Sequence, residues 1–315
     1  MGGHRTMRRP GATGAASPRL DEIADGLFAY VQPPGGWCLN NAGLIASGRD
    51  SVLVDTAATA ERAGKLRAAV ASTIGGPPKA VVNTHHHSDH TFGNFLFAEN
   101  TVVVGHWLTR AETAATGLAI QGLWPEVDWG EISVRLPDVT FSEQLVLHAG
   151  ELRVELHHLT TAHTTNDTVV WVPERKVLFA GDIVLSGVTP FCLMGSVEGS
   201  LRTIAWLRGF GAETVVCGHG PVASTAVLDE NERYLRWIQR CSAGGMAAGL
   251  TPLELARELD LGEFADWLDP ERLVANLHRG YAERHGSGVL GEPLDVRAVF
   301  GDMTQLNGGH PRCEA

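Results

Sequence analysis

A buried strand that runs directly into a histidine-rich tract constrains this chain more than any other feature. Residues 80–83 begin with three apolar residues, two of them β-branched valines, a pattern that predicts a strand. The following residues include His85, His87, Asp89 and His90. Imidazole and carboxylate groups are the usual ligands of Zn²⁺ and similar metals. Alternate side chains of a loop can face one side, so the two histidines at 85 and 87 can share one ion, and the pair at 89 and 90 can face a second.

Further candidate ligands stand at other predicted strand ends. Six residues cannot close two metal sites, so additional donors must come from elsewhere in the chain. Three polar residues each follow an apolar segment that predicts a buried strand, and glycine precedes two of them: His163, Asp182 and His219. Any one of these would be an ordinary turn residue on its own. Their common position after a strand predicts that they gather around the same site.

The order of elements predicts a layered α/β domain with a helical extension. Two blocks of short apolar segments, within residues 26–55 and 139–180, read as strands with helices between them, which gives an α/β domain over residues 20–225. From residue 226 to 315 the spacing of apolar residues is helical, and we expect a C-terminal extension packed on this domain. Residues 1–19 are rich in glycine and proline and are expected to form a flexible lead.

Composition excludes several classes of protein. The 315 residues carry 36 acidic and 25 basic side chains, a formal charge of −11 that disfavours a nucleic-acid binder. No segment approaches the roughly 18 apolar residues of a membrane span, so no membrane partner is expected. The five cysteines are odd in number and widely spaced, which favours free thiols and a cytoplasmic protein. A homo-oligomer is compatible with these data.

The ligand segments together resemble the metallo-β-lactamase superfamily. Its H-x-H-x-D-H motif is present at residues 85–90, and its later ligands match in order over about residues 20–225. The resemblance implies an αββα four-layer sandwich that holds two Zn²⁺ ions, although other divalent metals would suit the same ligands. One ion would be held by His85, His87 and His163, the other by Asp89, His90 and His219, with Asp182 bridging them.

The resemblance also assigns residues around the ligands. Asp55 matches an early structural aspartate of the family, and we expect it to orient a ligand from behind. Asn166 stands where relatives often have glycine. Asparagine tolerates left-handed backbone better than most residues, so we expect the turn to persist. His86, His157 and His158 are expected to be structural.

Segments outside the metal motif resemble a narrower family. They look like the metallo-β-lactamase-fold cyclases of bacterial aromatic (type II) polyketide pathways, of the actinorhodin type. The resemblance implies closure of a second ring by intramolecular aldol condensation. It also implies release of the chain from an acyl carrier protein by a metal-bound hydroxide that Asp89 and Asp182 position. The segments are residues 34–43, 122–131, 186–191, 234–237, 273–278 and 307–311.

Two features bear on substrate and partner. Trp37, Asn41, Trp124 and Phe191 are candidates for a pocket that takes a one-ring aromatic polyketide, although such aromatics can equally be core residues. Carrier proteins are usually acidic, so docking on this acidic chain would need local basic residues. The candidates are Arg202, Arg208, Arg233, Arg236 and Arg240.

Alternative functions remain open at this point. The main one is a generic hydrolase of thioesters or lactones without a cyclase role. A β-lactamase and a metal-binding scaffold without turnover are weaker alternatives.

Overall fold

The first sheet contains seven strands in their sequence order. In a computed structural model, which describes residues 17–97, 100–286 and 288–315, neighbouring strands are antiparallel from β1 to β4 and parallel from β4 to β7. The parallel strands therefore end at one edge of the sheet. The bounds are β1 (Arg19–Ala24), β2 (Leu27–Val31), β3 (Ala42–Ser47), β4 (Asp50–Val54), β5 (Ala80–Val82), β6 (Val102–His106) and β7 (Val139–Phe141).

The second sheet contains five strands, in the order β12-β11-β10-β9-β8. Strands β8 to β11 are antiparallel to their neighbours, and β11 runs parallel to β12. The bounds are β8 (Gln144–Ala149), β9 (Leu152–His157), β10 (Val169–Val172), β11 (Val177–Gly181) and β12 (Thr214–Cys217).

Helices cover the outer faces of both sheets. α1 lies on the first sheet, and the helices from α4 onward gather on the second. Their caps follow the usual chemistry, since Thr59, Ser196 and Asp295 each accept a backbone N–H at a helix start. The bounds are α1 (Ala60–Ile74), α2 (Ser88–Thr91), α3 (Trp107–Thr116), α4 (Val197–Leu207), α5 (Ala226–Ala247), α6 (Pro252–Glu258), α7 (Arg272–His285) and α8 (Val296–Asn307).

The alternation of apolar residues along the strands produces the layers. In β10 and β11, Val170 and Phe179 face the other sheet, whereas Trp171 and Leu178 face the helices. Successive side chains of a strand point to opposite faces, so strands apolar on both faces are buried between two layers. The structure is thus the predicted αββα sandwich with C-terminal helices.

Four of these strands and α-helices were not predicted, and one of them is α2, which contains Asp89 and His90 where a loop was expected. β1 is an edge strand whose residues are all at least partly exposed, so it carries little apolar pattern. α3 buries only Thr109 and Thr113. α8 lies in the predicted extension and was not recognised as a helix. Of the predicted flexible lead, residues 1–16 lie outside the described residues, and Arg19 already belongs to β1. Among the described residues, none forms a helix long and apolar enough to cross a bilayer.

Candidate metal centre

The candidate ligands follow strand ends, and the fold brings them to one place. The tract after β5 supplies four of them, and one residue each comes from the loop after β9 and from the ends of β11 and β12. The carboxyl ends of adjacent parallel strands share one sheet edge, which is where polar groups after each strand converge. The seven predicted ligands form two groups whose donor atoms lie within 4.8 Å of one another in each group.

The first group contains three histidines and one carboxylate: His85, His87, His163 and Asp182. The Nδ1 atom of His87 lies 2.9 Å from Nε2 of His163. That same Nε2 atom lies 3.5 Å from Oδ2 of Asp182. Nitrogen atoms this close, with a carboxylate beside them, match the ligand types of a zinc-like site.

The second group contains Asp89, His90 and His219, and Asp182 of the first group lies close to two of its members. His219 Nε2 lies 3.2 Å from Asp89 Oδ2 and 3.4 Å from Asp182 Oδ2. His90 Nε2 lies 3.2 Å from Asp182 Oδ1. The carboxylate of Asp182 therefore faces donors of both groups, the position that a bridging ligand requires.

The hydrogen bonding of these groups fits metal binding. The Nε2 atom of His85 is buried and has no hydrogen-bond partner, and Nε2 of His90 and Oδ1 of Asp182 are buried and form an ion pair at 3.2 Å without a hydrogen bond. Leaving such an atom unpaired costs about 1–3 kcal/mol, more for a charged group. Unpaired donor atoms from two strand ends that point at each other are explained by ions between them. The donor sets fit a binuclear divalent-metal site.

Asp55 supports both groups from behind. Its Oδ2 atom accepts a hydrogen bond from His90 Nδ1 at 2.8 Å and another from the Thr84 hydroxyl at 2.7 Å. The Thr84 oxygen in turn lies 3.0 Å from Nδ1 of His85. When Nδ1 carries the proton, Nε2 is free to bind a metal, so these bonds select the tautomer that a ligand needs.

Backbone carbonyls orient two further histidines. Nδ1 of His163 lies 2.5 Å from the carbonyl oxygen of Phe191. Nδ1 of His219 lies 3.1 and 3.2 Å from those of Gly35 and Gly36. The loop that contains residues 35–38 is therefore part of the support of the second group.

The carboxylates and imidazoles perturb one another strongly. Burial alone would lower the pKa of His219, but Asp182 and Asp89 outweigh it and raise the pKa to about 9. The pKa of His90 is raised well above its usual value, because the carboxylates of Asp182, Asp55 and Asp89 outweigh the effect of burial. Burial dominates at His163 and lowers its pKa to about 4. In the metal-free protein the second group therefore holds protons that a bound cation would replace.

The prediction for Asn166 was wrong in mechanism. Asn166 is not among the described residues with positive φ, so it does not replace glycine in a left-handed turn. Its Oδ1 atom accepts the backbone N–H of His86 at 3.0 Å, and its amide nitrogen lies 3.0 Å from Nδ1 of that ring. Asn166 thus holds the middle of the histidine tract, and His86 has the structural role that was expected.

The predicted pocket residues are packed rather than open. Trp37, Trp124 and Phe191 are buried, and the Trp37 ring centroid lies 5.6 and 5.1 Å from those of the other two. Phe300 of α8 completes this aromatic cluster. Asn41 donates to the backbone carbonyls of residues 217 and 220 and supports the loop around His219. Phe300 packs against three of these side chains, and a pocket lined by the four residues stays a prediction.

Two supporting residues were missed by the sequence reasoning. Thr84 connects Asp55 to His85, and its place directly before the tract was the available signal. Gly218 was noted only as part of a turn. A Cβ atom there would lie 1.9 Å from Asp182 Oδ1, so this position must lack a side chain for the bridging carboxylate to fit.

The family follows from a comparison with known proteins. The model of the metallo-beta-lactamase superfamily matches residues 35–219, more than half of the chain. The chain belongs to the metallo-beta-lactamase superfamily. The matched region includes every residue of both donor groups.

Curated relatives differ in name and in length. The chain is 25% identical to a linear primary-alkylsulfatase of Pseudomonas sp. over 81% of its own length and 57% of that protein. It is 30% identical to a hydroxyacylglutathione hydrolase of Rhodospirillum rubrum over 48% of its own length and 52% of that protein. The chain thus spans little more than half of these relatives.

Solved structures show the same fold. A metallo-beta-lactamase from Pontibacter korlensis superposes with a TM-score of 0.59 at 21% identity, covering 70% of this chain and 99% of that protein. At this level of identity the likeness establishes the fold alone.

Proposed function

We propose that this protein is a zinc-dependent cyclase and thioesterase that acts on a one-ring aromatic polyketide intermediate. It would close the second ring by intramolecular aldol condensation and release the chain from its acyl carrier protein. The observation that carries the hydrolytic part is the Asp182 carboxylate, which lies 3.2–3.5 Å from imidazole nitrogens of both groups. The cyclase part rests on the resemblance of segments outside the metal motif.

Each residue of the site would have a separate role. Two divalent ions, when bound, supply Lewis acidity that polarises a carbonyl and lowers the pKa of water. The Asp182 carboxylate lies between the two groups and would contact both ions. Asp89 is the most exposed of the carboxylates here, with 13% of its side chain accessible, so it faces the entering substrate and can accept a proton there. Asp55 keeps the imidazoles in the ligand tautomer.

The aromatic cluster supports an aromatic substrate. The Phe191 ring centroid lies 6.3 Å from that of His163, so the cluster directly borders the first group. Arg272 lies over the Trp37 ring, 3.9 Å from its centroid. A flat apolar wall beside a polar centre is the surface that a one-ring polyketide would need.

A basic groove on the helical extension supports a carrier partner. It has a volume of about 290 Å³ and is lined by Arg236, Gln239, Arg240, Ala243 and Arg284. Of the candidate arginines, Arg202, Arg208 and Arg233 outside the groove form ion pairs with acidic neighbours, and Arg236 within it pairs with Glu232. We therefore propose the groove as the docking place for an acidic carrier, and the extension as a substrate-recognition unit packed on the catalytic domain.

Five free thiols among the described residues support a cytoplasmic location.

A second candidate is a hydrolase of thioesters or lactones without ring closure. It is favoured by the packed state of the aromatic cluster, whose rings are buried against one another. The relatives named as hydroxyacylglutathione hydrolases support hydrolysis of an acyl group carried on sulfur.

Incubation with a carrier-bound polyketide whose first ring is formed would decide between the two. Mass spectrometry is expected to show a released two-ring product, and release of an uncyclised acid would favour the second candidate. D182A is the inactive control for both outcomes. For docking, R240A with R284A is expected to raise KM for carrier-bound substrate at least fivefold, whereas R202A should leave it unchanged. Equal KM values for all variants would refute docking at the groove.

A further inference from the structure

Residues 310–315 lie in extended form against the catalytic domain. Side chains alternate along this segment: Pro311 and Cys313 are buried, whereas Arg312 and Glu314 are exposed. This pattern is typical of a strand-like segment that inserts every second side chain into a surface. We refer to residues 310–315 as the strap.

The strap contacts residues that the site itself uses. Trp124 Nε1 donates a hydrogen bond of 2.6 Å to the carbonyl of Pro311. The backbone N–H of Glu314 donates to the carbonyl of Trp37 at 3.3 Å, and Arg62 donates to the carbonyl of Glu314 at 2.7 Å. Trp37 directly follows the glycines whose carbonyls orient His219. The strap therefore covers the aromatic cluster beside the metal centre.

Two thiols meet where the strap crosses this loop. The backbone hydrogen bond between residues 314 and 37 places Cys313 next to Cys38, because each cysteine directly adjoins one of the two bonded residues. Both residues are more than nine-tenths buried and neither is in a disulfide. Burial, the Cys313 thiol and the nearby Asp89 carboxylate all raise the pKa of Cys38. The pair thus consists of two buried, reduced cysteines on neighbouring segments, close to Asp89 of the second group.

We propose that Cys38 and Cys313 are an oxidisable pair whose disulfide fixes the strap across the aromatic cluster and blocks bulky substrates from the metal centre. In the reduced protein the strap lifts to admit them. The inference does not depend on which acyl substrate the enzyme uses.

The strap is held weakly enough to lift. The described contacts hold it by three hydrogen bonds and two buried side chains, and a short segment of this kind opens at a small fraction of the free energy of global unfolding. The disulfide would remove that freedom, because a covalent bond replaces a contact of a few kcal/mol or less. The apolar surface that the strap releases includes the ring faces of the aromatic cluster.

The oxidation requires a co-reactant, which we take to be a low-molecular-weight disulfide such as glutathione disulfide. The Cys313 thiolate, formed when the strap is open, attacks that disulfide and releases one thiolate. Cys38 then attacks the mixed disulfide and releases the second. Two S–H bonds are lost and one S–S bond forms, while the small disulfide takes up two electrons and two protons as two thiols. Because the Cys38 thiol is scarcely ionised when buried, the second step should be slow.

The test is oxidation of the full chain by glutathione disulfide, followed by peptide mass spectrometry and kinetics. We expect a peptide that links residues 38 and 313, reversed by dithiothreitol. The kcat/KM for a bulky aromatic thioester should fall at least tenfold on oxidation, and for a small acetyl thioester less than threefold. C313S is the informative variant, since Cys38 has a φ of 66° in the loop that supports His219.

Matched variants separate the pair from general oxidation. C313S should be insensitive to the oxidant, whereas C241S, at the half-buried cysteine of α5, should respond as the unmodified protein does. Absence of the 38–313 link under conditions that modify Cys241 would overturn the proposed pair. A link that leaves bulky and small substrates equally affected would overturn the role of the strap. If neither thioester is turned over, the proposed function fails. The disulfide between residues 38 and 313 is still detected by mass spectrometry, so the oxidation of the pair is tested independently of activity.

Discussion

Replacing Asp55 by asparagine tests the support of the metal centre with little other disturbance. Asp55 has a φ of 62°, a conformation that asparagine adopts more readily than most residues, so the backbone should persist. In D55N one carboxylate oxygen becomes an NH₂ group. The remaining oxygen can keep the backbone N–H of Thr84, now accepted at 2.7 Å, but the NH₂ group then meets Nδ1–H of His90. Two hydrogen-bond donors, the new NH₂ group and Nδ1–H of His90, then face each other without an acceptor.

The magnitude follows from what His90 must do. To relieve the clash, the His90 proton moves to Nε2, which then cannot bind a metal, or the ring rotates away from Asp182. Loss of a supporting carboxylate of this kind typically costs 10–100-fold in metal affinity or activity, which is about 1.4–2.7 kcal/mol. The first group should lose less, because Asp55 reaches His85 only through the Thr84 hydroxyl.

Competition with a chelator of known affinity would measure both binding steps. D55N should weaken one step by 10–100-fold and the other by less than tenfold. The complementary control is T84V. It keeps the shape of the side chain and removes the hydroxyl that connects Asp55 to His85. In this variant the binding step that involves the first group should be the one that is weakened more. If D55N leaves both affinities within twofold of the unmodified protein, Asp55 does not orient the ligands and the reasoning is refuted.

Three further predictions concern the same centre. G218A should lower affinity for both ions by at least tenfold in the same assay, because the new methyl group displaces the Asp182 carboxylate; G209A, where a Cβ meets no atom within 4 Å, should not. D182A should reduce bound metal from about two ions per chain to one or fewer by elemental analysis and abolish activity. Because His219 has a pKa of about 9, metal affinity should rise with pH and level off above that value, and calorimetry in buffers of different ionisation enthalpy should show proton release. The raised pKa also means that the ion pairs of protonated His219 stabilise the metal-free protein. This stabilisation is complete below about pH 6.5 and is lost as the pH rises through 9.

The sequence predicted the layers well because burial imposes a visible pattern. Strands such as β10 and β11 are apolar on both faces, and only a position between two layers satisfies such a strand. β1 was missed for the converse reason: an edge strand that is exposed on both faces needs no apolar pattern. α8 was missed although the signal was local: its buried residues Val299, Phe300 and Met303 have helical spacing, and Asp295 caps its start.

The metal ligands and the supporting role of Asp55 could be proposed from the sequence, whereas the rest of their support could not. Polar residues directly after buried strands converge by the geometry of the sheet, so position along the chain carries the information. The relay from Asp55 through Thr84 to His85 depends on a positive φ and on hydroxyl geometry. The same limit applies to Trp37, whose neighbours Arg272 and Phe300 lie far away in the sequence.

Chemistry and substrate selection are separate along the chain. Every predicted ligand lies between residues 85 and 219, inside the region that the superfamily model matches. The groups that cover the aromatic cluster come from α7, α8 and the strap, outside that region. Under the function proposed above, relatives with different names can share the metal ligands, while the aromatic cluster that would meet a substrate is covered by residues outside the matched region. It follows that exchanging residues 226–315 between relatives should alter substrate preference more than metal affinity.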